Sequence, residues 1–158
     1  MTAVQPLKAA EINLGKLFTE DYDFVIPEYQ RPYTWGTDET LQLLSDLKSA
    51  LDRDTAEPYF LGSEVIDGQQ RLTTLSLILG VVRDLVEDPA LSRAIHAFIE
   101  EPAVAWDDDK PARPRLALRP RDDRFFKEYV QTPGGTARLI EISDNATDTD
   151  SQRAIRDN

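Results

Sequence analysis

The sequence predicts a single α+β domain in which helices pack on a small mixed sheet. Apolar residues recur at helical spacing over 37–51 and 69–87, whereas 24–26 and 115–119 resemble short strands. The chain has 158 residues, of which 41% are apolar and 30% are charged. This size and composition suit one hydrophobic core.

The helices are predicted from repeating apolar residues with recognisable ends. Thr37 is suited to cap a helix whose apolar positions run to Leu51. A second helix is expected to begin at Gln69 and to reach about Glu87, and Pro89 opens a third. Shorter helical segments are expected near 12–18, 122–130 and 151–156.

The strands are predicted from β-branched and alternating segments. Phe24, Val25 and Ile26 form a β-type run that Pro27 ends, because proline cannot donate to a strand ladder. Residues 115–119 alternate with the period of two that a half-buried strand requires. The predicted mixed sheet is built from 24–26, 59–61, 65–66 and 115–119.

The end of the chain has a different composition. Residues 144–150 are polar, and 151–156 resemble the first turns of a helix. We therefore predict a domain over 1–143, followed by a polar linker and the start of a following helix over 144–158. On this interpretation the chain is an N-terminal fragment of a larger protein.

The composition excludes several kinds of site. The chain has no cysteine and a single histidine, His96, which excludes thiolate zinc sites and disfavours a Ser-His-Asp triad. A metal would then be a hard ion such as magnesium, held by oxygen atoms. The sequence has no apolar run long enough to span a membrane and no signal peptide, so we expect a cytoplasmic protein without a membrane partner.

The charge distribution leaves two interpretations of one segment open. The net charge of −11 repels a polyanion on average, but seven basic residues lie between Lys110 and Lys127 against Asp122 and Asp123. The segment is either a solvated charged face or a phosphate-facing patch. In the second case Arg119 and Arg121 would contact DNA.

The segment VIDGQQRLTTL at 65–75 predicts an anion site. Its first residues suggest a strand and a turn, and the helix that follows would begin with Gln69, Gln70 and Arg71. A helix N-terminus offers unpaired N–H groups and a partial positive charge, which suit a phosphate.

Each residue of this segment also has a simpler interpretation. Arg71 contacts the phosphate or pairs with Asp67, and Asp67 caps the helix or holds magnesium. Gly68 permits close approach of a ligand or serves only as a turn residue. The Thr73 hydroxyl could bind phosphate or magnesium, or be an ordinary first-turn residue.

The loop IPEYQRPYTW at 26–35 is the second candidate segment. Its aromatic side chains would stack on a planar group while Arg31 binds phosphate, provided that the loop faces the DGQQR segment. Alternatively, Tyr33 and Trp35 are core residues beneath the helix at 37–51.

The ordered motifs IPEYQRPYTW, FLGS and VIDGQQRLTTL resemble the N-terminal, ParB-like domain of the GmrSD family of modification-dependent restriction proteins. The phosphorothioate-sensing SspE proteins contain a similar domain. The resemblance implies a domain that binds and hydrolyses a nucleoside triphosphate (GTP, UTP, CTP or ATP, which the sequence does not distinguish) with magnesium. It also implies two partners, phage or modified DNA and a C-terminal HNH-type nuclease domain. The oligomeric state, a homo-oligomer included, stays open.

The resemblance carries over to the residues of two motifs, DGQQR at 67–71 and YQR at 29–31. Together with the candidates from the residues themselves, this gives three predicted sets, with Asp67 also holding the metal. The catalytic set is Asp67, Gln70 and Arg71; the nucleotide-binding set is Arg31, Gly68, Gln69 and Thr73; the DNA-binding set is Tyr29, Gln30, Arg119 and Arg121. The sequence departs from the family in two ways, because Ser63 meets Glu64 without an expected hairpin and no HNH motif is present.

Overall fold

The computed structural model describes residues 12–19, 22–53, 65–107, 109–143 and 147–158. Within these ranges it contains seven α-helices and four two-residue strands. The helices are α1 Leu14–Leu17, α2 Thr37–Leu51, α3 Val65–Leu85, α4 Pro89–His96, α5 Pro120–Phe126, α6 Gly135–Glu141 and α7 Asp150–Asp157, with a π-helical turn at Lys127–Gln131. The strands are β1 Phe24–Val25, β2 Glu100–Glu101, β3 Arg113–Pro114 and β4 Leu116–Ala117.

The strands form two short pairs of opposite sense. β1 is parallel to β4, with Phe24 opposite Leu116, and β2 is antiparallel to β3. The predicted α+β class is therefore confirmed, and so are strands within 24–26 and 115–119. The predicted strand at 59–61 and the junction of Ser63 with Glu64 lie outside the described residues.

The predicted strand at 65–66 is wrong, because α3 already begins at Val65. The strand–turn–helix interpretation fails with it, and Asp67 and Gly68 lie in the first turn of the helix. Consequently Gln70 lies more than one turn inside α3. Two β-branched residues and a glycine weaken a helix by only about 1 kcal/mol each or less. The burial of the α3 residues that follow can outweigh that cost.

The start of α2 matches the prediction to one residue. The helix runs from Thr37 to Leu51 as expected, but Gly36 takes the cap position. The Glu39 carboxylate reaches back and accepts a hydrogen bond of 2.9 Å from the Gly36 N–H. The N-cap is therefore one position before the predicted Thr37, and the Glu39 side chain supplies the capping hydrogen bond.

One main core joins the β1–β4 pair to five helical segments, which are α3, α5, the π-helical turn, α6 and α7. Phe126, Val130 and Ile155 are completely buried in it, and Tyr33 is also a core residue, as the simpler interpretation of the loop expected. The cluster comprises Ile26, Tyr33, Leu77, Leu116, Leu118, Phe126, Val130, Leu139 and Ile155. A smaller cluster of Phe18, Leu43 and Leu75 lies on the other side of Trp35, which packs against both.

The last helix packs on this core. Ile155 of α7 has no exposed surface, and Ser151 of the same helix is 1% exposed. The boundary between residues 143 and 144 stays a prediction, but α7 contributes apolar surface to the same cluster as β4 and α5. Among the helices in the described ranges, none is both long and apolar enough to cross a membrane.

Candidate functional site

The loop that carries Tyr29 to Trp35 is fastened to α3 by Gln70. The Gln70 side chain is 2% exposed, and its Oε1 accepts a hydrogen bond of 2.9 Å from the Thr34 N–H. Its Nε2 donates to the Pro32 carbonyl oxygen over 3.2 Å. Both ends of one buried amide therefore bind the loop backbone, and this holds the loop against the helix.

The same loop is also fastened to α7. The Ser151 hydroxyl accepts a hydrogen bond of 2.9 Å from the Tyr33 N–H. At the other end of the helix, the Asn158 amide donates to the Trp35 carbonyl oxygen over 2.6 Å. The Tyr33 hydroxyl shares a hydrogen bond of 2.8 Å with Thr74 of α3, and its burial raises the pKa of the phenol.

A narrow crevice lies where the loop, α3, α5 and α7 meet. Its enclosed volume is about 10 Å³, which is room for about one water molecule. A larger ligand would lie across the rim, with only a small group inside. The crevice is lined by Ile26, Arg31, Tyr33, Gln69, Gln70, Thr73, Leu118, Arg119, Asp122 and Ser151.

The charge at this crevice differs in sign from that of the whole chain. Arg31 and Arg119 line it against a single carboxylate, Asp122, whereas the chain carries a net charge of −11. Two guanidinium groups beside a partly enclosed space favour an anion with several oxygen atoms, because arginine binds phosphate through paired N–H groups.

Thr73 contributes an oriented hydroxyl to the crevice. The side chain is 1% exposed, and its Oγ1 donates a hydrogen bond of 2.9 Å to the Gln69 carbonyl oxygen. Because the single hydroxyl proton is used there, the oxygen lone pairs are what Thr73 offers to a ligand. Such an oxygen suits a metal ion or a water molecule better than a phosphate oxygen.

The structure brings together residues from three of the predicted groups. The loop contributes Arg31, and α3 contributes Gln69, Gln70 and Thr73. Arg119, which was predicted to bind DNA, lines the same crevice. The loop therefore does face the DGQQR segment, which was the condition placed on the sequence interpretation.

Other predicted residues lie elsewhere. Gly68 is exposed, and Arg71 is half-buried and does not line the crevice. Tyr29 is 86% exposed, and Gln30 is half-buried with its carbonyl oxygen 3.5 Å from Arg119 Nη1. Arg121 is exposed and lines a second, open crevice of about 400 Å³ together with Arg124, Phe125, Glu128, Tyr129, Ile142, Ser143, Asp148 and Gln152.

The predicted magnesium ligand Asp67 lies in the first turn of α3. In the described part of the chain, no group of three or more acidic or histidine side chains could hold a metal ion. Magnesium is commonly held by one or two carboxylates, with water and phosphate oxygens completing the shell.

Sequence reasoning missed three polar residues that build the site. Asp122 is 1% exposed and binds Arg119, while Ser151 and Asn158 hold the loop from α7. Only the first had a usable signal, because Arg119 and Asp122 are three positions apart at the start of a helix. Ser151 and Asn158 meet the loop across more than 115 residues of sequence, and no local pattern indicates such pairs.

The chain is similar to several known proteins. The model of the family described as GmrSD restriction endonuclease, N-terminal domain, matches residues 14–158. A 5-methyltetrahydropteroyltriglutamate–homocysteine methyltransferase of Nitrosomonas europaea is 26% identical over 147 residues, which cover 88% of this chain and 18% of the relative. A protein of the same name from Vibrio cholerae is 27% identical over 141 residues, which cover 84% of this chain and 17% of the relative. The chain thus spans less than a fifth of the length of these curated relatives.

Proposed function

The chain belongs to the family of GmrSD restriction endonuclease N-terminal domains, and we propose that it binds and hydrolyses a nucleoside triphosphate for a restriction system. Membership of the family supports a role in a restriction system. The nucleotide, its hydrolysis and its coupling to DNA cleavage are our proposal.

One observation supports the nucleotide most directly. Two separate motifs of the sequence, the YQR loop and the DGQQR helix, meet at a crevice where Arg31 and Arg119 outnumber the carboxylate of Asp122. A triphosphate carries charge on several oxygens, and arginine pairs stabilise that charge without covalent chemistry. Because the enclosed volume is about 10 Å³, the phosphates would lie at the rim and the cavity would hold the attacking water.

The proposal gives the α3 residues distinct tasks. Gln70 holds the loop in place through both atoms of its amide, so that Arg31 faces α3. Asp67 would bind magnesium beside the phosphates, with Gln69 and Gly68 in the same turn, and the Thr73 oxygen would accept a hydrogen bond from the attacking water. Arg71 would reach the phosphates from outside the crevice. Hydrolysis would then depend on positioning and electrostatic stabilisation.

We further propose that nucleotide turnover is linked to recognition of modified DNA, such as phosphorothioate DNA, and to a C-terminal HNH-type nuclease domain. Tyr29 is 86% exposed at the loop that Gln70 holds, and exposed tyrosines are suited to contact nucleic acid. A DNA contact at Tyr29 would act on the same loop as the nucleotide. The exposure of Tyr29 also favours a second candidate, a DNA-backbone sensor without hydrolysis.

The test is phosphate release with magnesium and each of the four ribonucleoside triphosphates. We expect wild-type protein to release phosphate from at least one, and Arg31→Ala and Arg71→Ala to slow it on the order of 10²-fold, as expected for lost stabilisation of developing charge. Arg93→Ala is the matched control, because Arg93 is an exposed arginine of α4 that does not line the crevice.

The outcomes separate the two candidates. Equal rates in wild type and Arg31→Ala would remove the crevice from the mechanism. If none of the nucleotides is hydrolysed while Tyr29→Ala weakens binding to phosphorothioate DNA but not to plain DNA, the sensor replaces the enzyme. Salt should weaken that binding steeply if phosphates are contacted.

A further inference from the structure

Arg119 forms one wall of the crevice in a fixed orientation. Its side chain is 16% exposed and directs Nε and Nη2 at one oxygen of Asp122, over 3.1 and 2.6 Å. Nη1 lies 3.5 Å from the Gln30 carbonyl oxygen, at the long limit for a hydrogen bond. Within the described part of the chain no further hydrogen bond engages the guanidinium, so its remaining N–H groups can serve a ligand.

Asp122 is held from both sides. It is 1% exposed, and while one carboxylate oxygen accepts from Arg119, the other accepts a hydrogen bond of 2.5 Å from the Thr149 hydroxyl. Thr149 caps α7, where its hydroxyl oxygen accepts from the Gln152 N–H over 3.2 Å. Since the hydroxyl oxygen receives that bond, its proton is directed to Asp122. The carboxylate therefore has little rotational freedom.

We propose that Arg119 binds the same anion as Arg31, and that Asp122 is a positioning residue that orients Arg119 through its contact with Thr149. This inference rests on the proposed nucleotide function and extends it to residues outside the two motifs. It also moves Arg119 from the predicted DNA surface to the nucleotide. The start of α7 thereby becomes part of the binding site.

The geometry favours a positioning role over a purely structural one for two reasons. A buried carboxylate that only compensated an arginine would be satisfied by Arg119 alone, yet the second oxygen of Asp122 is fixed by a helix cap 27 residues away. In addition, both Arg119 and Asp122 line the crevice. A rigid guanidinium loses less conformational entropy when an anion binds.

The test is a double-mutant cycle on magnesium tripolyphosphate, the part that all four nucleotides share. Calorimetric titration of wild type, Arg119→Ala, Asp122→Asn and the double variant gives four dissociation constants. We expect Arg119→Ala to weaken binding roughly 10- to 100-fold, the range for a charge-assisted hydrogen bond. Asp122→Asn should weaken tripolyphosphate binding several-fold when Arg119 is present and should have no effect in the Arg119→Ala background.

A second pair of variants serves if Asp122→Asn does not fold. Thr149→Ser keeps the hydroxyl that binds Asp122 and should bind tripolyphosphate like wild type. Thr149→Val removes the hydroxyl and should weaken binding several-fold. Thermal unfolding of every variant separates loss of stability from loss of affinity. In the double-mutant cycle, a purely structural Asp122 would weaken binding equally in the wild-type and the Arg119→Ala backgrounds.

The outcomes distinguish failure of the Arg119 and Asp122 inference from failure of the nucleotide function on which it rests. If wild type binds tripolyphosphate and hydrolyses a nucleotide but Arg119→Ala binds equally well, the present inference is overturned and the nucleotide function stands. Equal effects of Asp122→Asn in both backgrounds, or equal binding by Thr149→Val and Thr149→Ser, overturn the positioning role alone. If wild type neither binds tripolyphosphate nor hydrolyses any nucleotide, both proposals fall.

Discussion

Arg83 and Asp84 form a buried polar network at the end of α3. Arg83 is 1% exposed, and it donates to the Asp84 carboxylate at 2.7 and 3.0 Å and to the carbonyl oxygens of Gln131 and Thr132. Asp84 also accepts hydrogen bonds from the backbone of Gly134 and from Thr136. The pair thus ties the end of α3 to the turn that begins α6.

The Asp84 carboxyl has a perturbed pKa with a defined direction. Burial alone would raise this pKa, but the hydrogen bonds from Arg83, Gly134 and Thr136 outweigh burial and hold it well below its usual range. Because the folded pKa is lower than the unfolded one, the ionised carboxylate stabilises the fold above the unfolded pKa of about 4. That contribution is lost as the pH falls from about 4 towards the folded pKa.

We predict that Asp84→Asn lowers the free energy of unfolding by about 3–5 kcal/mol at pH 7, because it leaves the Arg83 charge buried without its partner. The difference from wild type should shrink as the pH falls below about 4, where wild type loses the same contribution. Urea denaturation at pH 7, 5 and 3 measures both effects. Asp52→Asn, at an exposed aspartate after α2, should change stability by less than about 0.5 kcal/mol. If the difference in free energy of unfolding between wild type and Asp84→Asn stays constant with pH, the lowered pKa of Asp84 is not the cause of the stabilisation.

Single residues of this kind were the least predictable from sequence. Arg83, Gln70 and Asp122 are polar types that usually lie on the surface, yet each is at least 98% buried. Their burial depends on carbonyl groups and side chains supplied by distant segments. The residue types of the motifs were recognisable, but the partners that orient them were not.

At the scale of elements, α3 packs against α4, α6 and the π-helical turn. Gly80 lies where α3 approaches the π-helical turn and α6, and a Cβ atom there would be 2.9 Å from the Val130 carbonyl oxygen. It would also be 3.2 Å from Val130 Cγ1. At Gly68, in the first turn of the same helix, no heavy atom of the described residues lies within 4 Å of that position.

We predict opposite effects for the same substitution at these two positions. Gly68→Ala should raise the free energy of unfolding by up to about 1 kcal/mol, because alanine favours helix and no atom of the described residues obstructs the added methyl group. Gly80→Ala should lower it by about 1–3 kcal/mol, because the contact with the Val130 backbone exceeds the helical gain. Thermal and urea denaturation of both variants measure this, and an increase in stability for Gly80→Ala would mean that α3 packs less closely than described.

The helices with the clearest apolar periodicity were the ones whose boundaries were predicted most accurately. The pattern of Leu41, Leu44, Leu47 and Leu51 predicted α2 to within one residue at its start, and Pro89 correctly marked the start of α4. The start of α3 was missed because Val65 and Ile66 followed by Asp-Gly are locally typical of a strand and a turn. Tertiary packing overrides such weak local preferences.

At the scale of the whole molecule, the features that the sequence could not indicate are those formed by contacts between distant segments. β1 pairs with β4, whose partner residues Phe24 and Leu116 are far apart in the chain. The strand character of both segments was visible, but their parallel pairing was not. The crevice shares this origin, because its walls come from the loop, α3, α5 and α7.

The last helix, α7, stabilises the whole domain by burying Ile155 in the main core. Ile155 is completely buried in the main core, so Ile155→Ala should lower the free energy of unfolding by about 2–5 kcal/mol. Ile140→Ala, at an isoleucine that is 86% exposed on α6, should change it by less than about 0.5 kcal/mol. Urea denaturation followed by circular dichroism measures both.

A chain that ends at residue 143 extends this prediction to the boundary proposed from the sequence. Removing α7 takes away Ile155 together with the Ser151 and Asn158 contacts that hold the loop. We therefore expect the shortened chain to unfold at lower urea than Ile155→Ala, and its loop to lose the contacts that place Arg31 at the crevice. If the shortened chain unfolds cooperatively with wild-type stability, the boundary at 143 is correct and α7 belongs to a following unit.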